Sequence, residues 1–199
     1  TAYNFYLGKN GAADNFQGDI AEVILFSRDV NLAQSNIINN YLAAKYDLAI
    51  TNDFYNFEVS HGEEVAGVGR VDIDNQHVAA RAGIVTISNA SDLNDGEYVL
   101  FGHDNAGITS WTTSEVPSAG ISRTAREWRF DNTGSPGTIS IAINTELLPV
   151  LPDGDEDYII MIDADGDFTS GASVINTVFV DGQYKASNLS IASGDYVTF

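Results

Sequence analysis

The sequence predicts a mainly β protein: an antiparallel β-sandwich preceded by two strands and one helix. From residue 54 onward, short apolar runs of strand length alternate with turn-forming residues. Before residue 51, one longer apolar run is followed by a segment with helical spacing. These two patterns divide the chain into residues 1–50 and 54–199, with a short polar linker at 51–53.

The N-terminal segment contributes the two strands and the helix. Residues 19–26, "DIAEVILF", are almost continuously apolar and predict a strand buried on both faces, with 4–8, "NFYLG", as its neighbour. Asn31 and Gln34 have the spacing of a capping box, which predicts that a helix begins here. Two strands and a helix cannot bury "VILF" alone, so we expect this segment to pack on the second domain or to be an incomplete domain. The predicted apolar face of the helix consists of Ile37, Ile38, Tyr41 and Leu42.

The second segment is predicted to be a sandwich. In "TISIAIN", Ile139, Ile141 and Ile143 alternate with small or polar residues, which predicts a half-buried strand. Asp181-Gly182 is a hairpin signal, and "NTGSPG" at 132–137 predicts a turn between strands. The predicted strands lie in "GIVTIS", "EYVLFG", "REWRF", "GTISIAIN", "DYIIMID", "NTVFVDGQYKAS" and "GDYVTF".

Charge and composition exclude several classes of partner and site. The chain has 28 acidic and 9 basic residues and a net charge of −19. Such a field repels nucleic acid and anionic membranes, and it attracts cations. There is no cysteine, which excludes disulfides and thiolate metal sites. No apolar run approaches the roughly 20 residues of a membrane span, so we expect no membrane insertion.

Two stretches of the sequence resemble known families. Residues 4–50 resemble the C-terminal end of laminin-G/concanavalin-like domains of large bacterial surface proteins. The stretch from "FQGDIAEVILF" to "YLAAKYDLAI" (16–50) carries this resemblance, and Asp47 stands where that family usually has glycine. The rest resembles a β-sandwich domain of unknown function that often follows such modules. The resemblance implies a secreted, adhesin-like multidomain protein at the cell surface. The second match is carried by "VAGVGRVD" (65–72), "YVLFGHDNAG" (98–107), "REWRF" (126–130), "GSPGTISI" (134–141) and "IMIDADGDFTSG" (160–171).

The strongest candidate site is the acidic run "DADGDFTSG". Asp163, Asp165 and Asp167 alternate as in the first half of a calcium loop, and Thr169 is placed to add an oxygen ligand. Three close carboxylates repel one another unless a cation or hydrogen-bond donors neutralise them. Position twelve of the loop is Val174, so the run is not an EF-hand. Two interpretations stay open: a calcium loop at a strand end, or aspartates that cap backbone amides in a turn.

Weaker candidates for ligand contact lie in two other loops. His103, Asp104 and Asn105 follow a predicted buried strand, and Trp111 is either a core anchor or a ring that stacks on a sugar. The acidic run "PDGDEDY" at 152–158 is interpreted as a turn. The chain has neither an HExxH nor a GxSxG motif, and we expect no enzymatic activity.

These patterns predict an extracellular structural or adhesive module of a bacterial surface protein, stiffened by calcium. A carbohydrate- or peptide-binding domain is the alternative, and an accessory domain of a polysaccharide hydrolase is a third. The expected partners are neighbouring domains of the same long chain, glycans, peptides or copies of the chain itself.

Overall fold

The protein is described from a computed structural model that covers residues 6–10, 14–152 and 157–199. The chain divides into two compact units, residues 1–30 and 31–199. Neither described helix has both the length and the apolar character that a membrane-spanning helix needs. In chain order the elements are β1 (Lys9–Asn10), β2 (Asp14–Asn15), α1 (Leu32–Tyr46), α2 (Glu58–His61), β3 (Glu63–Asp72), β4 (Asn75–His77), β5 (Ala79–Ala82), β6 (Val85–Ser88), β7 (Glu97–His103), β8 (Trp111–Thr112), β9 (Arg123–Thr124), β10 (Trp128–Thr133), β11 (Ile139–Ile143), a 3-10 turn (Thr145–Leu147), β12 (Ile159–Asp163), β13 (Ser173–Asn176), β14 (Val178–Val180), β15 (Gln183–Leu189) and β16 (Tyr196–Thr198).

The first unit differs from the sequence prediction. Its regular structure is the short antiparallel pair β1–β2. The predicted strand at 19–26 was wrong: these residues have no regular secondary structure, and Leu25 and Phe26 are 70% and 52% exposed. Residues 6–8 are not a strand either, and residues 4–5 lie outside the described part. An apolar run becomes a buried strand only when another strand pairs with it, and among the described residues none pairs with 19–26.

The second unit is an antiparallel sandwich, as predicted. A seven-stranded sheet has the order β13-β12-β16-β10-β7-β3-β4, and a five-stranded sheet has the order β14-β15-β11-β6-β5. The main core is rich in aromatic and branched side chains, among them fully buried Trp128 and the stacked rings of Phe101 and Phe130, 5.3 Å apart. Burying each such side chain contributes about 1.5–3 kcal/mol, which makes this core the main source of stability.

Strand β7 lies between two apolar clusters. Val99 and Phe101 belong to the main core, whereas Tyr98 and Leu100 belong to a second cluster that includes Ile37 of α1. Successive side chains of a strand point to opposite faces, so β7 contributes to both clusters at once. The longest strand, β3, does the same, with Val68 in the main core and Val65 in the second cluster. It was not among the predicted strands, and glycines interrupt its apolar pattern.

Helix α1 has the predicted start. Asn31 and Gln34 form both hydrogen bonds of the capping box. The helix ends at Tyr46, and Asp47 caps it with a φ of 53°. This left-handed conformation is the one that glycine adopts most easily, and asparagine and aspartate adopt it more readily than most other residues.

The predicted linker is held against α1. Asn40 is buried; its amide donates to the Asn52 carbonyl (2.7 Å), and its oxygen accepts from the Phe54 N–H (2.7 Å). Helix α1 therefore belongs to the same compact unit as the sandwich, residues 31–199. The predicted domain boundaries, 1–50 and 54–199, stay a prediction.

Two turn predictions were confirmed, and one burial prediction was wrong. Asp181 and Gly182 both have positive φ (51° and 80°) and join β14 to β15. The turn at 132–137 joins β10 to β11 and so passes from one sheet to the other. Strand β11 was predicted to be half-buried, but all five of its residues are buried. It lies between β6 and β15, and the hydroxyl of its buried Ser140 forms a hydrogen bond with the Ser187 hydroxyl (3.2 Å).

Candidate functional site

The acidic loop after β12 folds around its own aspartates. Asp163 Oδ1 accepts hydrogen bonds from the backbone N–H groups of Asp165 (2.8 Å) and Gly166 (2.9 Å). Asp165 Oδ1 accepts from the N–H of Asp167 (2.9 Å), and Asp167 Oδ1 accepts from the N–H of Thr169 (3.0 Å). Hydrogen bonds from the Thr169 side chain and then its backbone hold the pKa of Asp167 below its usual range. These are the hydrogen bonds of the turn interpretation.

The three carboxylates do not converge. Within residues 6–10, 14–152 and 157–199, no three acidic or histidine side chains are grouped as metal ligands would be. Calcium binding by Asp163, Asp165, Asp167 and Thr169 stays a prediction. That prediction was based on the repulsion among three close carboxylates. The backbone N–H groups of the turn already neutralise part of this repulsion.

A second carboxylate approaches Asp163 from the loop before β16. Asp163 is 5% exposed and lines a cleft of about 410 Å³ together with Asp195, Asn188 and Ser190. Burial raises the pKa of Asp195, the N–H of Ala192 lowers it, and the negative charge of Asp163 raises it further. The sequence did not reveal this pair, because its members lie 32 positions apart in a protein that has 28 acids.

His103 lies at the buried end of β7. The backbone N–H of Asn105 donates to His103 Nδ1 (3.0 Å), so the neutral ring carries its proton on Nε2. That nitrogen lies 3.3 Å from Glu64 Oε2 and 3.3 Å from Arg126 Nη1. Burial, followed by the positive charge of Arg126, lowers the pKa of His103. The neutral ring therefore acts as part of the turn structure near pH 7.

The residues after His103 complete a compact turn. Asp104 Oδ1 accepts from the N–H groups of Ala106 (3.1 Å) and Glu127 (3.2 Å), and Asn105 adopts a φ of 62°. The structure thus brings together the predicted candidates His103, Asp104 and Asn105, with their polar atoms used in local hydrogen bonds. A ligand contact there stays a prediction.

A second buried histidine was not among the candidates. His61 ends α2; its Nδ1 lies 2.9 Å from Ser60 Oγ, and its buried Nε2 has no hydrogen-bond partner among the described residues. Its ring meets the edge of Tyr196 at 5.3 Å, and Arg129 lies 4.6 Å from that same ring. Burial is the main cause of the lowered pKa of His61. The sequence around it, "EVSHGEE", holds a lone histidine among charged and small residues and gives no signal for this position.

Trp111 lies in β8 and is half-buried. Its Nε1–H donates to the Val150 carbonyl (2.9 Å), which fixes the indole, as the anchor interpretation requires. Its ring also begins an aromatic row, which we define as Trp111, Tyr158, Tyr184 and Phe179. Successive ring centroids along the row are 6.1, 4.6 and 4.9 Å apart.

A cleft of about 340 Å³ opens beside the first two rings of the aromatic row. Asp157 lines it and is exposed, whereas Tyr158 is half-buried. Sequence reasoning interpreted 152–158 as a plain turn. At the end of that run, the Tyr158 ring contacts Trp111, which is 47 positions earlier in the chain. Residues 153–156 lie outside the described part.

One edge of the sandwich is apolar, and no further strand within the described ranges pairs with it. Strand β13 is the last strand of the seven-stranded sheet, β14 is the last strand of the five-stranded sheet, and a single residue, Thr177, separates them. We call residues 173–180, "SVINTVFV", the edge ribbon; it has no charged residue. Its exposed apolar side chains are Val174 (43%), Val178 (65%), Phe179 (61%) and Val180 (46%).

Comparison with known proteins identifies the domain. A family model described as a domain of unknown function (DUF8202) matches residues 34–195, which is well over half of the chain. No curated protein gives a significant match, and no solved structure does either. The match begins inside α1, in agreement with the compact unit that starts at Asn31. The laminin-G resemblance of residues 4–50 stays a prediction. The chain therefore belongs to this family of domains of unknown function, here folded as an antiparallel β-sandwich with one packed helix.

Proposed function

We propose that this chain is a structural and adhesive module of an extracellular bacterial surface protein, with a binding role rather than a catalytic one. The observation that carries the proposal is the edge ribbon, where both sheets end side by side in exposed, uncharged strands. An exposed strand edge presents unpaired backbone N–H and C=O groups, with which an extended segment of another domain can pair.

The composition of the edge ribbon is unusual for this chain. Natural proteins commonly protect free edges with charged residues or proline, and the edge ribbon has neither, although the chain carries 28 acids. Exposed apolar side chains on β14 would add buried area to the backbone pairing when a partner strand binds. Adhesion or attachment to a neighbouring domain fits such a surface.

The cellular context of the proposal comes from the sequence. The resemblance to modules of bacterial surface proteins supports an extracellular location, and the net charge of −19 without cysteine is compatible with it. Labelling intact source cells with an antibody against this domain tests the location. Labelling of permeabilised cells alone would contradict it.

Retention of coated beads tests the binding role. Beads carrying the wild-type chain are passed over surfaces coated with the same chain, with extended peptides or with glycans. The Val178→Lys/Val180→Lys variant should lose retention, because two charges at the edge ribbon oppose strand addition. The matched control, Val59→Lys/Ile73→Lys, adds the same charge at exposed positions outside the ribbon (101% and 64% exposed). Equal retention of both variants would overturn the role of the edge ribbon.

Calcium stiffening is the second part of the proposal. Asp163 and Asp195 face one cleft, and their mutual repulsion supports a cation between the acidic loop and the β15–β16 loop. A cation that binds only the folded state at 100 times its dissociation constant would stabilise it by about 2.7 kcal/mol. Thermal unfolding in millimolar calcium and in excess chelator tests this: identical curves would remove calcium from the proposal and leave the edge ribbon unaffected.

A carbohydrate- or peptide-binding domain is the alternative function. The cleft beside the aromatic row favours it, because concave sites with aromatic walls and few polar groups are typical of small-ligand binding. Retention on glycans or peptides that survives the edge ribbon variant would favour this alternative over strand addition.

A further inference from the structure

The cleft at Trp111 has the form of a binding site. Its volume of about 340 Å³ lies at the lower end of the range of roughly 300–1,000 Å³ for small-molecule sites. The hydrogen bond from Trp111 Nε1 to the Val150 carbonyl holds the indole in place, and Tyr158 packs between Trp111 and Tyr184. Both rings are therefore positioned by the fold before any ligand arrives, which lowers the entropic cost of binding.

The walls of the cleft are mainly apolar, with Ser122 and Asp157 among the polar residues that line it. Ile121, Leu151, Pro152 and buried Phe199 supply the apolar surface. Asp157 supplies a carboxylate, and no lysine or arginine lines the cleft within the described part of the chain. The local charge is therefore negative, in a molecule whose net charge is −19.

We propose that this cleft binds a ligand through an organic ammonium group. Aromatic rings attract a cation through the negative charge of their faces, and a carboxylate beside them adds a direct ionic contact. The field of the whole molecule draws cations to the site and repels anions. A neutral sugar gains nothing from either effect, and the described lining offers it few hydrogen-bonding side chains. This inference goes beyond the proposed function and does not depend on it.

Choline and its uncharged isostere, 3,3-dimethylbutan-1-ol, are the probes. The two molecules have nearly the same shape, so any difference in affinity reports the charge. The chain has two tryptophans, and Trp128 is fully buried. In an NMR titration the indole N–H signal of Trp111 should therefore shift, while that of Trp128 serves as an internal reference.

Two variants distinguish binding in the cleft from general attraction of the cation by the acidic molecule. Asp157→Asn should raise the dissociation constant for choline about fivefold, equivalent to about 1 kcal/mol. Asp53→Asn removes the same charge from another exposed position and should leave that constant unchanged. Both positions are exposed, so neither variant should prevent folding.

Every outcome of the titration is decisive. A Trp111 shift with choline, at least tenfold weaker with the isostere and sensitive to Asp157→Asn, supports the proposal. Equal affinity for choline and the isostere would show an apolar site only. Shifts with cello-oligosaccharides in the absence of a choline effect would show a sugar site. Either of those results, or no shift with any probe, would overturn the ammonium assignment.

Discussion

Replacing Asp163 with alanine and with asparagine separates the two interpretations of the acidic loop. Asp163 is 5% exposed, and its Oδ1 accepts from the N–H groups of Asp165 (2.8 Å) and Gly166 (2.9 Å). Alanine leaves both partly buried donors without this acceptor, and we expect a loss of about 2–3 kcal/mol in the free energy of unfolding. For a chain of this size that corresponds to about 4–12 °C in Tm. Asparagine keeps an oxygen in the same place, so it should cost less than about 1 kcal/mol.

Urea and thermal unfolding in excess chelator measure both variants without any contribution from calcium. Asp53→Ala, at an exposed aspartate, is the control for loss of charge alone. Equal destabilisation by alanine and asparagine at position 163 would refute a role for the turn hydrogen bonds. The loss of the carboxylate charge would then explain the effect of both substitutions. Repeating the series in calcium tests the metal separately: asparagine should abolish any calcium-dependent rise in Tm if Asp163 is a ligand.

Two further predictions concern buried groups. Burial lowers the pKa of His61 and of His103. Between about pH 7.5 and 6 the unfolded chain therefore takes up protons that the folded chain does not. The free energy of unfolding should fall as the pH drops below the ordinary histidine pKa of about 6.5, which urea titrations at each pH would measure. Gly69→Ala should cost about 1–3 kcal/mol in thermal unfolding, because a Cβ there would lie 2.1 Å from Cδ1 of the buried Tyr98 ring.

Each of these predictions has its own control. Burial is the main cause of the raised pKa values of Glu127 and Asp195. These two carboxyl groups make the fold less stable as the pH rises, which opposes the effect of the two histidines, so a histidine variant is needed to separate them. The His61→Phe variant isolates the histidine effect: its pH dependence should be shallower than that of the wild type, and an unchanged slope would exclude His61. For Gly69, the comparison is Gly107→Ala, where a Cβ meets nothing within 4 Å. A loss as large at Gly107 would disprove the steric argument.

Much of the local structure could be predicted from the sequence. The capping box at Asn31 and Gln34, the Asp181-Gly182 hairpin and the turn hydrogen bonds open to Asp163 all involve atoms within a few residues of one another. Their geometry depends on short stretches of backbone, so residue type and spacing suffice. The sandwich class followed from the same kind of local pattern, repeated along the chain.

The sequence did not determine which surfaces are covered. Residues 19–26 have the more continuous apolar pattern, yet they are largely exposed. Strand β11 has an alternating pattern, yet all five of its residues are buried in the middle of a sheet, between β6 and β15. The meeting of Trp111 with Tyr158, of Asp163 with Asp195, and of the two sheet edges at residues 173–180 likewise depends on long-range strand pairing. The sequence by itself therefore determined the β class, the helix start and the turns, since these are short-range properties of the chain. Only the tertiary structure decided the strand order, the free edge and the clefts, because burial and proximity depend on which distant segments pack together.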